Sequence, residues 1–449
     1  MAQERGADTE KQIPIGCRWK DLKALSGKEQ LKFYTTQLNH LSVHGQKRVR
    51  AIFAGAQTFI KNYRNLSILV DAIDQIEWFD ADRAQFGDLY EGLLEKNAGE
   101  KKSGAGQYFT PRPLISSMVA TIQPRAGEVI QDPAAGTGGF LIEADSFIKK
   151  SQGWKKLSTD RREFQRTKAF VGAELVPDTH RLCLMNMMLH DIDSDVRLGD
   201  ALSGIGKRLP QSDVVLSNPP FGTKWGGGKP ARDDLPFDTS NKQLNFLMHI
   251  YQSLKKPSDS NLGGRAAVIV PDNVLFEEEI ASMVRQDLMS RCNLHTILRL
   301  PAGIFYAQGV KTNVLFFNRE SEDQKEARDL WVYDLRTNMP SFGKRTPLTR
   351  DHFRDFEQAF GSDPWGRSPR DDQGPNGRFR RFTYDHIRHD RRYNLDITWL
   401  RDDTMPSLEY TETPRQITEK ILSRLRSATA EIEELQTLLA GETSTRNLP

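Results

Sequence analysis

Between Gly104 and Phe317 the chain alternates short apolar runs with stretches of helical periodicity, and no other feature constrains its fold as tightly. The runs are Val129–Ile130, Ala169–Glu174, Val196–Leu198, Val214–Leu216, Ala266–Val270, Leu294–Leu300 and Val314–Phe317. Val, Ile, Leu and Phe dominate them, as expected of strands buried on both faces. Strands separated by helices predict an α/β fold with a doubly wound, mainly parallel sheet, here of seven strands. Such sheets take their ligands in the crevice beyond the carboxyl ends of the strands. Residues that carry chemistry are therefore expected directly after the runs.

The flanks read differently. From Trp19 to Asn97 apolar residues fall at helical spacing in Leu31–Leu41, Val49–Ile60 and Leu66–Trp78, and again behind Asp80 in Phe86, Leu89, Tyr90 and Leu93. This predicts an all-α N-terminal domain over residues 1–100, ahead of a catalytic domain over 101–345. Residues 346–412 are expected to be an irregular, basic linker, with Ser362–Arg378 rich in Gly, Pro, Asp and Arg. Arg367, Arg370, Arg378, Arg380, Arg381, Arg388, Arg391 and Arg392 crowd this stretch, either as a solvated linker or as a phosphate-facing patch. Residues 413–449 predict a helix for subunit association. Its Ile421, Leu425, Ala428, Ile432, Leu435 and Leu439 form a heptad seam that fits a coiled-coil tail, or else packs on its own domain.

Composition narrows the function classes. No run of 18 apolar residues exists, so no membrane span is expected. The charged stretch Met1–Gln12 does not resemble a secretory leader. Cys17, Cys183 and Cys292 have no metal spacing, so neither a metal site nor a structural disulfide is expected, and the compartment is expected to be the cytoplasm. A net charge of +3 does not by itself mark a nucleic-acid binder.

Three loops follow the first three runs. Asp132-Pro-Ala-Ala-Gly-Thr-Gly-Gly-Phe140 leaves the strand ending near Gln131 and opens a helix. Gly136, Gly138 and Gly139, around Thr137, let the backbone turn tightly and approach a ligand. The loop lacks the Lys-Ser/Thr of a triphosphate-binding loop. Asp132 would repel a pyrophosphate but suits a cation, and S-adenosyl-L-methionine (AdoMet) carries an ammonium and a sulfonium. Glu174, closing the second run, can accept ribose hydroxyls. The long gap between these acids is explained by a polar insert, Ser151 to Thr167. Asp200, after the third run, can accept from an adenine amino group.

Asn218-Pro219-Pro220-Phe221 follows the fourth run. Composition alone places such a tetrapeptide in a chain of this size with a probability on the order of 10⁻³. The prolines stiffen the loop and leave the Asn218 side chain and the Pro219 carbonyl aimed at one point. Two acceptors holding both hydrogens of an exocyclic adenine amine draw its nitrogen toward a tetrahedral geometry and free its lone pair. Attack is then an in-line displacement, for which positioning supplies much of the rate. Phe221 offers a face to stack the base, which must first leave the duplex. Ahead of the first run, Gln107, Tyr108, Phe109, Thr110, Pro111 and Arg112 suit a lid over the cofactor, with Thr110 capping a helix and Pro111 in its first turn.

In this order the motifs resemble those of the modification subunits of type I restriction–modification systems, in the N6-adenine DNA methyltransferase family and its enterobacterial-type branch. The resemblance runs from Gly16 to the C-terminal helix. It implies that the segments matching Gln107–Arg112, Thr137–Gly139 and Glu174 contact AdoMet and that Asn218–Phe221 is the catalytic motif. It implies double-stranded DNA as substrate, a separate specificity subunit flanked by two modification subunits, and restriction/translocase subunits that join the complex. Helical sequence before Gly106 is shorter than usual for the family, so contacts made by the earlier helices are expected to be missing. Two other readings stay open at this level: methylation of protein glutamine or RNA, and a catalytically silent scaffold.

Overall fold

The computed structural model describes residues 13–75, 110–221, 232–259, 261–305, 310–321, 328–343 and 346–402, together with Thr418, Leu422, Leu425, Arg426 and Thr429. The chain divides into two compact units, Met1–Leu400 and Arg401–Pro449. In the second, Thr418, Leu422, Leu425, Arg426 and Thr429 are helical. Leu425 is the one described member of the heptad seam and is 59% exposed; the other seam positions lie outside the described residues. No helix among the described residues is long and apolar enough to cross a membrane.

Among its described residues the first unit begins with four helices: α1 (Trp19–Lys23), α2 (Gly27–His44), α3 (Lys47–Phe53) and α4 (Tyr63–Asp74). The periodicity of Val49–Ile60 predicts a longer α3 than is found. Ala54 leaves the helical region at ψ 117° and Gly55 follows at φ +65°, so the helix stops at Phe53 and Phe59 is 96% exposed. The helix expected behind Asp80 lies outside the described residues. α3 buries Val49 and Ile52, and its Arg48 pairs with Asp193 of the α/β part at 2.6 Å.

The α/β part follows with α5 (Arg112–Ile122), β1 (Ile130–Asp132), α6 (Gly139–Ser151), α7 (Thr159–Thr167), β2 (Phe170–Glu174), α8 (Pro177–Leu189), β3 (Asp195–Leu198), α9 (Gly204–Lys207), β4 (Val214–Ser217), α10 (Lys242–Ser253), β5 (Arg265–Pro271), α11 (Asn273–Phe276), α12 (Ile280–Arg291), β6 (Cys292–Arg299), β7 (Thr312–Arg319), β8 (Asp329–Asp334), α13 (Arg354–Phe360) and β9 (Phe379–Thr383). All seven apolar runs contribute to strands. The sheet nevertheless has nine strands rather than seven, in the order β3-β2-β1-β4-β5-β7-β6-β8-β9. β8 carries only Leu-Trp-Val-Tyr between two aspartates, and β9, Phe-Arg-Arg-Phe-Thr, is an edge strand with one phenylalanine on each face and polar residues between and after them. Neither shows the continuous apolar run of a strand buried on both faces.

β3, β2, β1, β4 and β5 are parallel, while β7 runs antiparallel between β5 and β6. Side chains alternate between two cores, as the pleat requires. Val214, Leu216, Ala267 and Ile269 face α5 and α6, whereas Val215, Ala266, Val268 and Val270 face α10 and α12. From β1 the strand order runs outward in both directions, which makes the β1–β4 boundary the topological switch point.

Residues 350–399 are not the irregular linker expected of them. They supply α13, whose Phe356 and Phe360 are fully buried, and the edge strand β9. Arg370, Arg378, Arg380 and Arg391, half of the arginine cluster, are partly buried and tied into the fold. Arg370 lies over Phe360 and donates to Thr296 Oγ1 at 2.9 Å. Arg378 donates to the Asp334 and Thr337 carbonyls, and Arg391 to that of Asp396. Arg367, Arg380 and Arg381 pair with Asp363, Asp372 and Asp329; Arg388 and Arg392 are exposed. Between them Trp365 is buried against the Arg265 guanidinium at 4.5 Å and donates to the Gly263 carbonyl. Charge and glycine content made this stretch look solvated, because sequence does not show where an arginine's donors end.

Candidate active site

The carboxyl edge of the parallel strands gathers the acids and amide that the motifs single out. Asp132 ends β1, Glu174 ends β2, Asp200 follows β3 and Asn218 follows β4. β1 and β4 pair at the switch point, so the glycine loop and the Asn-Pro-Pro-Phe loop leave neighbouring strands.

Asp132 is 1% exposed. Its Oδ1 accepts from Ala134 N at 3.0 Å and from the Ser217 hydroxyl at 2.7 Å, which ties the two loops together at their roots. Burial pushes its pKa up to about 7; the two hydrogen bonds oppose the rise and the Glu174 charge adds to it. Glu174 is also raised, by burial first, against bonds from Val176 and Gly136. Its Oε2 accepts from Gly136 N at 2.9 Å and its Oε1 from Val176 N at 2.8 Å. Among the described residues neither acid has an ion-pair partner. Two buried carboxylates without a cation make a site that favours a positively charged ligand.

The glycine loop is as tight as its sequence requires. Gly136 sits at φ +54° and Gly138 at φ +85°, where side chains are strained. A Cβ on Gly138 would also approach Cys183 Sγ to 3.0 Å. Gly139 opens α6, and the Thr137 carbonyl accepts from Asn186 Nδ2 at 3.0 Å. Gly172, in the middle of β2, was not singled out by any motif. A Cβ there would lie 2.3 Å from the Asp132 carbonyl oxygen, so the close approach of β1 and β2 depends on it. Asp200 is exposed, and its Oδ1 accepts from Leu202 N at 2.8 Å.

Thr110 does not cap the helix. Pro111 is the N-cap of α5 and makes no side-chain cap bond, and Arg112 begins the helix. The Thr110 hydroxyl instead accepts from Asn218 Nδ2 at 2.9 Å. Asn218 Oδ1 is buried and has no hydrogen-bond partner among the described residues. Thr110 thus aims the amide by its nitrogen and leaves the oxygen to accept. Gln107, Tyr108 and Phe109 of the expected lid lie outside the described residues. Pro219 is buried, Pro220 is half-buried, and Phe221 meets Phe305 edge to face at 5.7 Å. Pro219 and Phe221 line a small cleft with Gln243, Leu247 and the β5 residues Val268–Pro271.

Sequence reasoning missed three supports. Ser217 has no motif of its own. Arg232 pairs with Asp234 and donates to the Ala201 carbonyl at 3.3 Å, and its Nη1 lies 2.8 Å from His249 Nδ1. It thereby moors the stretch before α10 to the loop that carries Asp200. Arg336, just after β8, grips Asp272 at 2.8 Å from beyond the end of β5. No group of acids, histidines or cysteines among the described residues could hold a metal ion.

Comparison with known proteins bears on this arrangement. Residues 81–402 match the N-6 DNA Methylase family. The StySPI methylase subunit of a type I restriction enzyme from Salmonella potsdam is 45% identical over 97% of this chain and 88% of its own length. The EcoKI methylase subunit from Escherichia coli (strain K12) is 44% identical over the same shares. The crystal structure of the EcoKI M protein superposes with a TM-score of 0.61, at 40% identity, covering 98% of this chain and 89% of that one.

Proposed function

The chain belongs to the N-6 DNA methylase family and is a type I restriction–modification methylase subunit, and from that premise we propose that it methylates N6 of an adenine extruded from double-stranded DNA, using AdoMet. The observation that carries this reading is the buried Asn218 Oδ1, which has no described partner and stands at the exit of β4, next in sequence to Ser217, whose hydroxyl bonds Asp132. The residues present fit AdoMet: Asp132 suits its cationic end, Glu174 its ribose, and Asp200 its adenine amine, with Gly136–Gly139 turning the backbone beside them. When bound, AdoMet supplies a methyl activated by its sulfonium.

Every other contribution comes from the chain. Asn218 Oδ1 and the Pro219 carbonyl accept the two hydrogens of the target amine and draw its nitrogen out of the plane of the ring. An amide suffices, because a neutral amine needs an exposed lone pair rather than prior deprotonation. Thr110 keeps the amide from rotating. Phe221 stacks the extruded base, and the energy of unstacking is recovered on that face. Target recognition is assigned to a specificity subunit held through the seam in residues 413–449, with two modification subunits per complex and restriction/translocase subunits joining it.

Asn218→Ala tests the reading. In the complex with its specificity subunit, transfer of labelled methyl to DNA should fall by about 10²- to 10³-fold, the range lost with a transition-state hydrogen-bonding group. AdoMet affinity by calorimetry should not change, which places the loss in the chemical step. Turnover near that of the unmodified protein would remove Asn218 from the mechanism. Labelling of protein or RNA in place of DNA would overturn the substrate.

A further inference from the structure

We propose that Gln243 reads the extruded base, donating a hydrogen bond from its side-chain Nε2 to a ring nitrogen beside the target amine. The inference rests on the adenine methylation proposed above. Gln243 lies in the first turn of α10 and is 6% exposed. It contributes a primary amide to the cleft formed with Pro219, Phe221, Leu247 and the end of β5, whose other walls are apolar. Its amide oxygen and its amide nitrogen can each meet a different partner.

One end is partnered, and the chemistry of its neighbours fixes which. Asn273 Nδ2 donates to Gln243 Oε1 at 2.9 Å and to Glu277 Oε1 at 3.1 Å. An ionised carboxylate only accepts, so Glu277 forces Asn273 to present its nitrogen. Asn273 Nδ2 then spends its second hydrogen on Gln243, and the Gln243 atom facing it must be the oxygen. The Gln243 amino group is left on the other side of the same carboxamide, and no described residue accepts from it. Glu277 therefore sets the polarity of a donor two residues away, through two amides that could otherwise each turn over.

That donor complements the rest of the site. The Asn218 and Pro219 oxygens accept from an amine, and Gln243 offers a hydrogen to whatever lies next to it. Adenine carries an amine flanked by ring nitrogens that accept. Guanine and thymine carry a carbonyl oxygen in place of the amine, with a ring N–H beside it on the Watson–Crick edge, so they oppose this pattern; cytosine, with an amine beside N3, matches it and is set apart by ring size instead. The amide thus adds selection by hydrogen bonding, which rejects a mispaired partner far better than an apolar wall does.

The test uses the complex with its specificity subunit and duplexes carrying its own methylation site, located by sequencing DNA methylated in vitro. The target adenine is replaced by 1-deazaadenine or 7-deazaadenine, each lacking one of the ring nitrogens beside the amine. With the unmodified protein, one analogue should lower kcat/KM by about 10- to 100-fold. Gln243→Leu should lose a similar factor on adenine, lose nothing further on that analogue, and keep its AdoMet affinity. Gln243→Glu keeps the shape without the donor and should lose at least as much as Gln243→Leu. If both variants methylate adenine normally, or the analogue costs them as much as it costs the unmodified protein, Gln243 does not touch the base. Indifference of the unmodified protein to both analogues overturns the proposal equally. Failure of the unmodified protein to methylate ordinary adenine would instead strike the function proposed above and leave the Gln243 assignment without a base to read.

Discussion

Replacing Asp132 with asparagine separates what the residue does for a ligand from what it costs the fold. Asp132→Asn keeps Oδ1, which accepts from Ala134 N and from the Ser217 hydroxyl, and removes the charge. The buried carboxyl titrates at about 7 against an ordinary 3.8. At 1.36 kcal/mol per unit, its ionised form costs the fold about 4 kcal/mol above pH 7. Because the folded protein holds this proton more tightly than the open chain, stability falls as pH rises from 3.8 through about 7 and is level beyond. In urea denaturation Asp132→Asn should therefore be more stable by about 4 kcal/mol at pH 8 and by roughly 2 kcal/mol at pH 5, where the folded carboxyl keeps its proton. Calorimetry should show the opposite for the ligand. AdoMet should bind the variant at least about 10-fold more weakly at pH 8, for loss of an attraction of ~1.4 kcal/mol or more. In the unmodified protein its affinity should drop as pH falls below 7. A variant no more stable than its parent at pH 8, or one with unchanged AdoMet affinity, would show that Asp132 carries no buried charge waiting for a cation.

Thr110→Val leaves the shape but not the acceptor of the Asn218 amide; kcat should fall by about 5- to 50-fold with little change in AdoMet affinity, and Thr110→Ser should restore it. Steady-state kinetics showing parental turnover in Thr110→Val would make the bond incidental. Gly172→Ala drives a methyl into the Asp132 carbonyl and should cost about 1–3 kcal/mol in urea denaturation while weakening AdoMet binding, since β1 and β2 must separate. Trp365→Ala should cost about 3–5 kcal/mol, read from the denaturation midpoint, although Trp365 is remote from every motif; a cost below 1 kcal/mol would mean that neither its packing nor its indole bond holds the fold.

The parallel half of the sheet was legible because its strands are buried on both faces and each is followed by a loop with its own chemistry. Asp132, Glu174 and Asn218 could be assigned to strand ends from order alone. What supports them was not legible. Ser217 is an ordinary residue until β4 pairs with β1 and brings it to Asp132. Thr110 has the sequence of a helix cap, and its hydroxyl goes elsewhere because Pro111 already occupies the cap position. β9 and the arginines around it were read as linker because this edge strand carries one phenylalanine per face rather than an apolar run, and because an arginine bonded to carbonyls has the same letter as one in water.

Trp365 donates its indole hydrogen to Gly263, 102 positions earlier, and covers the guanidinium of Arg265 at the start of β5. A ribosome adding about 5–20 residues per second delivers the tryptophan roughly 5–20 s after β5 has left it. For that interval the central strands exist while the piece that seals their edge has not been made. The order of synthesis therefore runs against the order of closure: the catalytic strands come first and wait, with part of their apolar surface uncovered, for a segment that contributes no catalytic residue. Translation speed over residues 265–365 therefore sets how long the start of β5 waits for the residue that covers it.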